Sequence, residues 1–153
     1  MPDVLTTILP APQTLTTIAP PAGITTTLVN GQGPAGTSTR PAYTTAAALS
    51  GHQVIALDLS GLAIYATSDD VSLAFRVVGI STGAASSGAS ITVQDKDVMT
   101  HGGWSWTPGQ LIYLGLNGVL TNTVPVSATF ILVMGKALSA TSILVGIQPP
   151  IAL

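Results

Sequence analysis

The step Asn117-Gly118, set between Leu116 and Val119-Leu120, leaves the backbone around it little choice. Both residue types tolerate a positive φ, and a two-residue connection flanked by apolar residues specifies a tight antiparallel hairpin. Just before it, Gln110 to Leu114 is a β-rich run, and Thr107-Pro108-Gly109 is a turn. Before that turn lie both tryptophans of the chain, Trp104 and Trp106, flanked by Gly102-Gly103. In an extended segment, residues two apart point to the same face. The stretch is therefore expected to be a tryptophan-anchored β-meander, with Trp104 and Trp106 as structural or interface anchors.

Turn signals recur along the rest of the C-terminal part at roughly ten-residue spacing. Gln53 to Leu57 reads as a strand that Asp58-Leu59-Ser60-Gly61 turns into Leu62 to Ala66. Ala46 to Leu49 has the composition of a single helical turn. Phe75 to Ile80, Ser90 to Gln94 and Asp97 to Thr100 follow as strands. Thr129 to Leu138 and Ser142 to Ile147 are expected to pair across Ser139-Ala140-Thr141, and Pro149-Pro150 to end regular structure. Many short strands of this kind indicate an all-β fold, a small β-barrel or sandwich.

Residues 1–45 have a different character. Leu5-Thr6-Thr7-Ile8-Leu9-Pro10 recurs as Leu15-Thr16-Thr17-Ile18-Ala19-Pro20 and is echoed by Ile24-Thr25-Thr26-Thr27-Leu28. β-branched units closed by proline form short extended pieces and cannot propagate as helix. The expected organisation is an extended Thr/Pro-rich arm over 1–45, with a glycine-rich hinge near 31–41, and a β-domain over 46–153. The regular apolar residues Leu5, Ile8, Leu15, Ile18, Ile24 and Leu28 make the arm a candidate contact segment for a neighbouring subunit.

Composition narrows the function classes. Only 7% of residues are charged and Glu is absent, where a typical soluble domain has about 25% charged residues. A surface so poor in charge suits a chain covered by copies of itself or by a larger assembly. The net charge of −2, with four scattered basic residues, gives no footprint for nucleic acid. No cysteine is available for disulfides or thiolate metal sites. Met1-Pro2-Asp3 lacks the basic region of a secretory leader, and the apolar run around Phe130 to Met134 is too short to span a bilayer. No membrane partner is expected.

Catalytic patterns are missing. His52 and His101, the two histidines, have no ligand partner at useful spacing. Asp69-Asp70 and Asp95-x-Asp97 could gather a calcium ion, but the twelve-residue loop with its terminal acidic ligand is absent. These aspartates read more simply as turn residues. Neither Ser86-Ser87-Gly88 nor Gly115 to Gly118 has the lysine of a phosphate loop. The expectation is no enzyme, no metal and no cofactor. A stacking platform for sugar is the competing reading of Trp104 and Trp106.

Several of these motifs together resemble a known family. They are Ala48 to Asp58 with Gly61 to Ala66, Arg76-Val77-Val78-Gly79-Ile80-Ser81, Ile91-Thr92-Val93-Gln94, the tryptophan stretch, Leu114 to Thr121, and Val133 to Thr141. Over roughly residues 48–153 the chain is similar to the capsid cement, or decoration, proteins of tailed bacteriophages, and to modules of phage fibre proteins. The resemblance implies a structural virion protein on the outer surface of a phage head. Its partners would be the major capsid protein and itself, with a homotrimer favoured over a dimer. The alternative it leaves open is a fibre or tailspike attachment module with glycan contact. It brings no catalytic residues.

Overall fold

The computed structural model describes residues 16–18, 25–27 and 40–153. The chain divides into two units, Met1–Thr39 and Arg40–Leu153. In the first, β1 (Thr16–Ile18) pairs antiparallel with β2 (Thr25–Thr27), placing Thr17 opposite Thr26. The second and third copies of the threonine repeat thus pair with each other. Of the candidate contact residues, Ile18 lies in β1, while Leu5, Ile8, Leu15, Ile24 and Leu28 lie outside the described residues.

The second unit begins with β3 (Ala42–Thr44), a segment that the sequence places at the end of the arm. It is followed by β4 (Val54–Leu57), β5 (Ala63–Tyr65), a 3-10 turn at Val71–Leu73, β6 (Val77–Ser81) and β7 (Ser90–Gln94). These strands form one antiparallel sheet in the order β3-β7-β6-β4-β5. Next come β8 (Lys96–Thr100), β9 (Leu111–Leu114), β10 (Leu120–Thr121), β11 (Phe130–Ile131), β12 (Val133–Ser139), β13 (Ser142–Gly146) and β14 (Ile151–Ala152). A second sheet has the order β10-β9-β12-β13-β8, and β11 pairs with β14 apart from both. The chain changes sheets between β7 and β8 with Asp95 alone between them, and Asp97, the second residue of β8, has a positive φ of 71°.

The fold is all-β, with open antiparallel sheets. The edges of the first sheet meet only at a Thr45–Ala63 bridge, where the Ala46 amide donates to the Ala63 carbonyl at 3.0 Å, so no barrel closes among the described residues. The larger core cluster draws on both sheets: Val54, Ala56 and Ile80 from the first, and Met99, Ile112, Leu114, Met134, Ile143 and Val145 from the second. A smaller cluster, Leu49, Ile55, Ala63, Ile91 and Val93, fills the other side of the first sheet. β4 is consequently buried on both faces, Val54 and Ala56 to one cluster and Ile55 to the other. This is why Val54-Ile55-Ala56-Leu57 runs apolar without alternation.

Four expectations need correction. Ala46–Leu49 forms bends and a bridge at Leu49 rather than a helical turn, because its backbone is taken by Ala63 and Ala85. The strand expected from Phe75 starts at Val77, since residues 74–76 close the 3-10 turn. Regular structure resumes after Pro149-Pro150 as β14. Finally, the tryptophan stretch is no meander: β8 and β9 are separated in the sheet by β12 and β13, and residues 101–110 cross between them as an irregular loop.

Candidate functional site: an aromatic clasp and an apolar sheet face

The Asn-Gly hairpin forms as its residue types require. Asn117 and Gly118 take φ values of 50° and 78°, the Val119 amide donates to the Leu116 carbonyl at 3.0 Å, and Leu120 pairs with Leu114. Its tip is more than a turn. The Gly118 amide donates to the Ala66 carbonyl at 2.6 Å, and the Gly118 carbonyl accepts from the Val54 amide at 2.7 Å. The hairpin of one sheet is thereby hydrogen-bonded into the β4–β5 pair of the other.

A second link between the sheets is aromatic. His52 precedes β4 in a tight turn, with φ 60°. Ser81 holds it there: the Ser81 carbonyl accepts from the His52 amide at 2.8 Å, and the Ser81 Oγ accepts from the Gln53 amide at 3.0 Å and lies 2.9 Å from the Ser50 carbonyl. His101 follows β8 directly, and its amide donates to the Thr141 carbonyl at 2.9 Å. The two imidazoles stack with centroids 4.1 Å apart and planes 22° apart. Trp104 stands nearly perpendicular to both, 5.9 Å from His52 and 5.5 Å from His101. The His101 ring lies over Gly103, where an added Cβ would come 2.9 Å from Nε2. Burial pushes His52 below the usual histidine value, and the charge of His101 lowers it further.

Trp104 and Trp106 are half-buried and both pack on the larger core cluster, with their rings 6.1 Å apart and tilted by 49°. The Trp106 amide donates to the Ala140 carbonyl at 2.9 Å, which pins the loop to the β12–β13 turn. The Trp106 Nε1 is buried without a hydrogen-bond partner. Tilted rings committed to the core make a poor flat platform, so this geometry favours anchors over a sugar-stacking surface.

The stacking limits what the two imidazoles can bind together. Imidazole lone pairs lie in the ring plane, so stacked rings direct them side by side rather than at one shared point. Among the described residues no three His, Cys, Asp or Glu side chains gather as a metal site. Asp70 caps the 3-10 turn by accepting from the Ser72 amide, and Asp69 accepts from the Thr67 hydroxyl. No helix of the described residues is long and apolar enough to cross a membrane.

The outer face of the second sheet carries a feature that the sequence reading missed. Register aligns Leu111, Lys136, Leu144 and Val98 in one row across β9, β12, β13 and β8. Each alternates with a buried neighbour, yet Leu111, Leu144 and Val98 are 45–52% exposed, and Leu138 is 46% exposed on β12. An open antiparallel sheet normally turns polar residues to water on such a face. The alternation at each strand was legible; the alignment of the row depends on pairing between distant strands.

No protein-family model matches the chain, and no curated protein matches it in sequence.

Proposed function

We propose that this chain is a non-enzymatic structural protein of a phage particle, a cement protein that lies on the outer surface of the head and ties major capsid subunits together. The observation that carries the reading furthest is the apolar row Leu111–Lys136–Leu144–Val98 on an open sheet face. Exposed apolar rows on a rigid sheet suit a broad, flat protein surface better than a small ligand. The low charge of the whole chain supports the same reading, since a surface that ends up covered needs few charges. The resemblance over roughly 48–153 supplies the capsid as the specific partner.

In this mechanism the β-domain lays its apolar face on the capsid, and Lys136 offers one cation to a capsid carboxylate. The Thr/Pro-rich arm adds extended contacts to adjacent subunits in the manner of strand addition. Self-association into a homo-oligomer multiplies these contacts. Each can then be modest, because repetition over a lattice acts through effective concentration.

The test is sedimentation of the purified chain with heads of the phage whose genome encodes it, followed by a count of bound copies. A cement protein saturates at hundreds of copies per head. Saturation at a few tens or fewer rejects cement in favour of a fibre-type attachment, and no binding rejects both.

A further inference from the structure

A second apolar feature shares no residue with the sheet face. Leu59, at the tip of the β4–β5 turn, is 88% exposed, and Phe75, just after the 3-10 turn, is 87% exposed. Turn tips normally carry polar residues, and Phe75 is one of two phenylalanines in the chain. Both residues line a shallow groove of about 400 Å³, together with Asp58, Arg76, Val77 and Val78. The walls are well fixed. The Asp58 Oδ1 accepts from the Ser60 and Leu62 amides at 2.8 and 2.9 Å, and the Arg76 carbonyl accepts from the Leu57 amide at 3.0 Å. Both side-chain bonds of Asp58 fall on Oδ1, and Oδ2 accepts none.

We infer that this groove is a two-fold contact between copies of the chain. Charge complementarity within one patch points to a second copy as the occupant. Of the ten charged residues in the sequence, one acid and one base, Asp58 and Arg76, lie in the same groove. A two-fold axis presents the same surface in reverse order, so a self-complementary patch must carry both signs. Arg76 of one copy then meets the partner's Asp58, and the reverse pair forms at the same time. Between the two ion pairs, Phe75 of each copy packs against the partner's Leu59, filling the groove with the side chains that the isolated chain leaves in water. A foreign partner would have to carry both signs in matching order, which a second copy does by symmetry. The net charge of −2 opposes association of copies only weakly. The inference does not rest on the capsid reading: it concerns the free protein, and failure of head binding leaves it standing.

Sedimentation of the full-length chain from about 1 µM to about 1 mM tests it, because weak specific contacts fall in this range. The wild type is expected to show concentration-dependent association. Leu59→Ser/Phe75→Ser, which leaves both core clusters untouched, should melt with the wild type and associate at least about tenfold more weakly. Arg76→Gln, a milder change that keeps the side-chain stem, should also weaken association, and the wild type should weaken with added salt while Arg76→Gln responds less. The cysteine-free background allows a direct check of the pairing. Leu59→Cys mixed with Phe75→Cys should form a disulfide-linked dimer faster than either variant alone. Absence of association in the wild type, or association unchanged in both the double variant and Arg76→Gln, overturns the inference. No preference for the mixed cysteine pair overturns the two-fold arrangement.

Discussion

His52 and His101 stack face to face, 4.1 Å between ring centroids, although 48 positions of sequence lie between them. One imidazole leads into the first sheet and the other follows directly from the edge strand of the second, so the stack bridges the two. Two neutral rings pack well in this arrangement, whereas two imidazolium ions would repel. Trp104 beside both rings makes the charge state visible, because an imidazolium quenches a neighbouring indole.

The stack makes stability depend on pH. The folded-state value of His52 lies below the usual 6.5, from burial and from His101, so the unfolded chain binds the proton more readily. The contribution of a neutral His52 is therefore fully present above about pH 6.5 and is lost as pH falls toward and through the lower folded value. Melting temperature should drop across this window in the wild type, with a parallel fall in tryptophan fluorescence. His52→Asn, which tolerates the positive φ, should give a flatter profile. Identical slopes for the two proteins would count against this role.

The two tryptophans should separate by substitution. Trp104→Ala removes half-buried area and the wall beside both histidines, at a cost of about 2–3 kcal/mol, below the range for full burial. Trp106→Ala should cost a similar amount. Trp106→Phe keeps a ring against the core and removes a buried N–H that has no partner, so its cost should stay under about 1 kcal/mol. Chemical denaturation of the three variants checks the order.

Gly118 should be the least replaceable residue of the hairpin. Its φ is 78°, and a Cβ would lie 2.8 Å from the Tyr65 ring and 3.1 Å from the Val54 carbonyl oxygen. Gly118→Ala combines backbone strain with a clash against the opposite sheet, and should cost about 2–4 kcal/mol. Asn117→Gly, at a φ of 50° and an exposed position, should cost less than about 1 kcal/mol. Equal costs would mean that the contact between hairpin and β4 contributes little.

The apolar row should matter for binding rather than for folding. Leu144→Glu places a charge on the outer face of β13, where the side chain is exposed, so stability should change by no more than about 0.5 kcal/mol. Sedimentation with phage heads should then show loss of bound copies. Undiminished binding by a folded Leu144→Glu protein would move the capsid-facing surface elsewhere.

A chain beginning at Arg40 retains, among the described residues, all those of both core clusters. It should melt cooperatively, close to the full-length protein, and bind heads poorly for want of the arm. Wild-type head binding by this shorter chain would show the arm to be dispensable.

Much of the local structure was legible because it is written in short-range backbone preferences. Asn117-Gly118 specified its hairpin through two residues that accept positive φ, and Asp58 to Gly61 specified the β4–β5 turn through a carboxylate that bonds the amides two and four residues on. The rarity and size of the tryptophans singled them out, and both pack against the larger core cluster. Phe75 shows the limit. Its apolar neighbours put it in a strand, yet the 3-10 turn capped by Asp70 ends beside it and leaves it in water.

Local residue preferences sufficed for an all-β chain: the turns, most of the strands, and the difference in character between the threonine-rich N-terminal part and the rest. Those properties depend on each residue and its near neighbours, and proline, glycine and β-branching set them locally. Which strands are neighbours, and with that everything that could serve as a site, was set by packing between distant segments. β8 joins β13 rather than β9, which turns an expected meander into a crossing loop and carries Trp104 to the histidines. β4 lies between two cores, and Leu111, Lys136, Leu144 and Val98 fall into one row. These outcomes follow from which faces can be buried together across the whole chain, a competition among distant segments that no short stretch records.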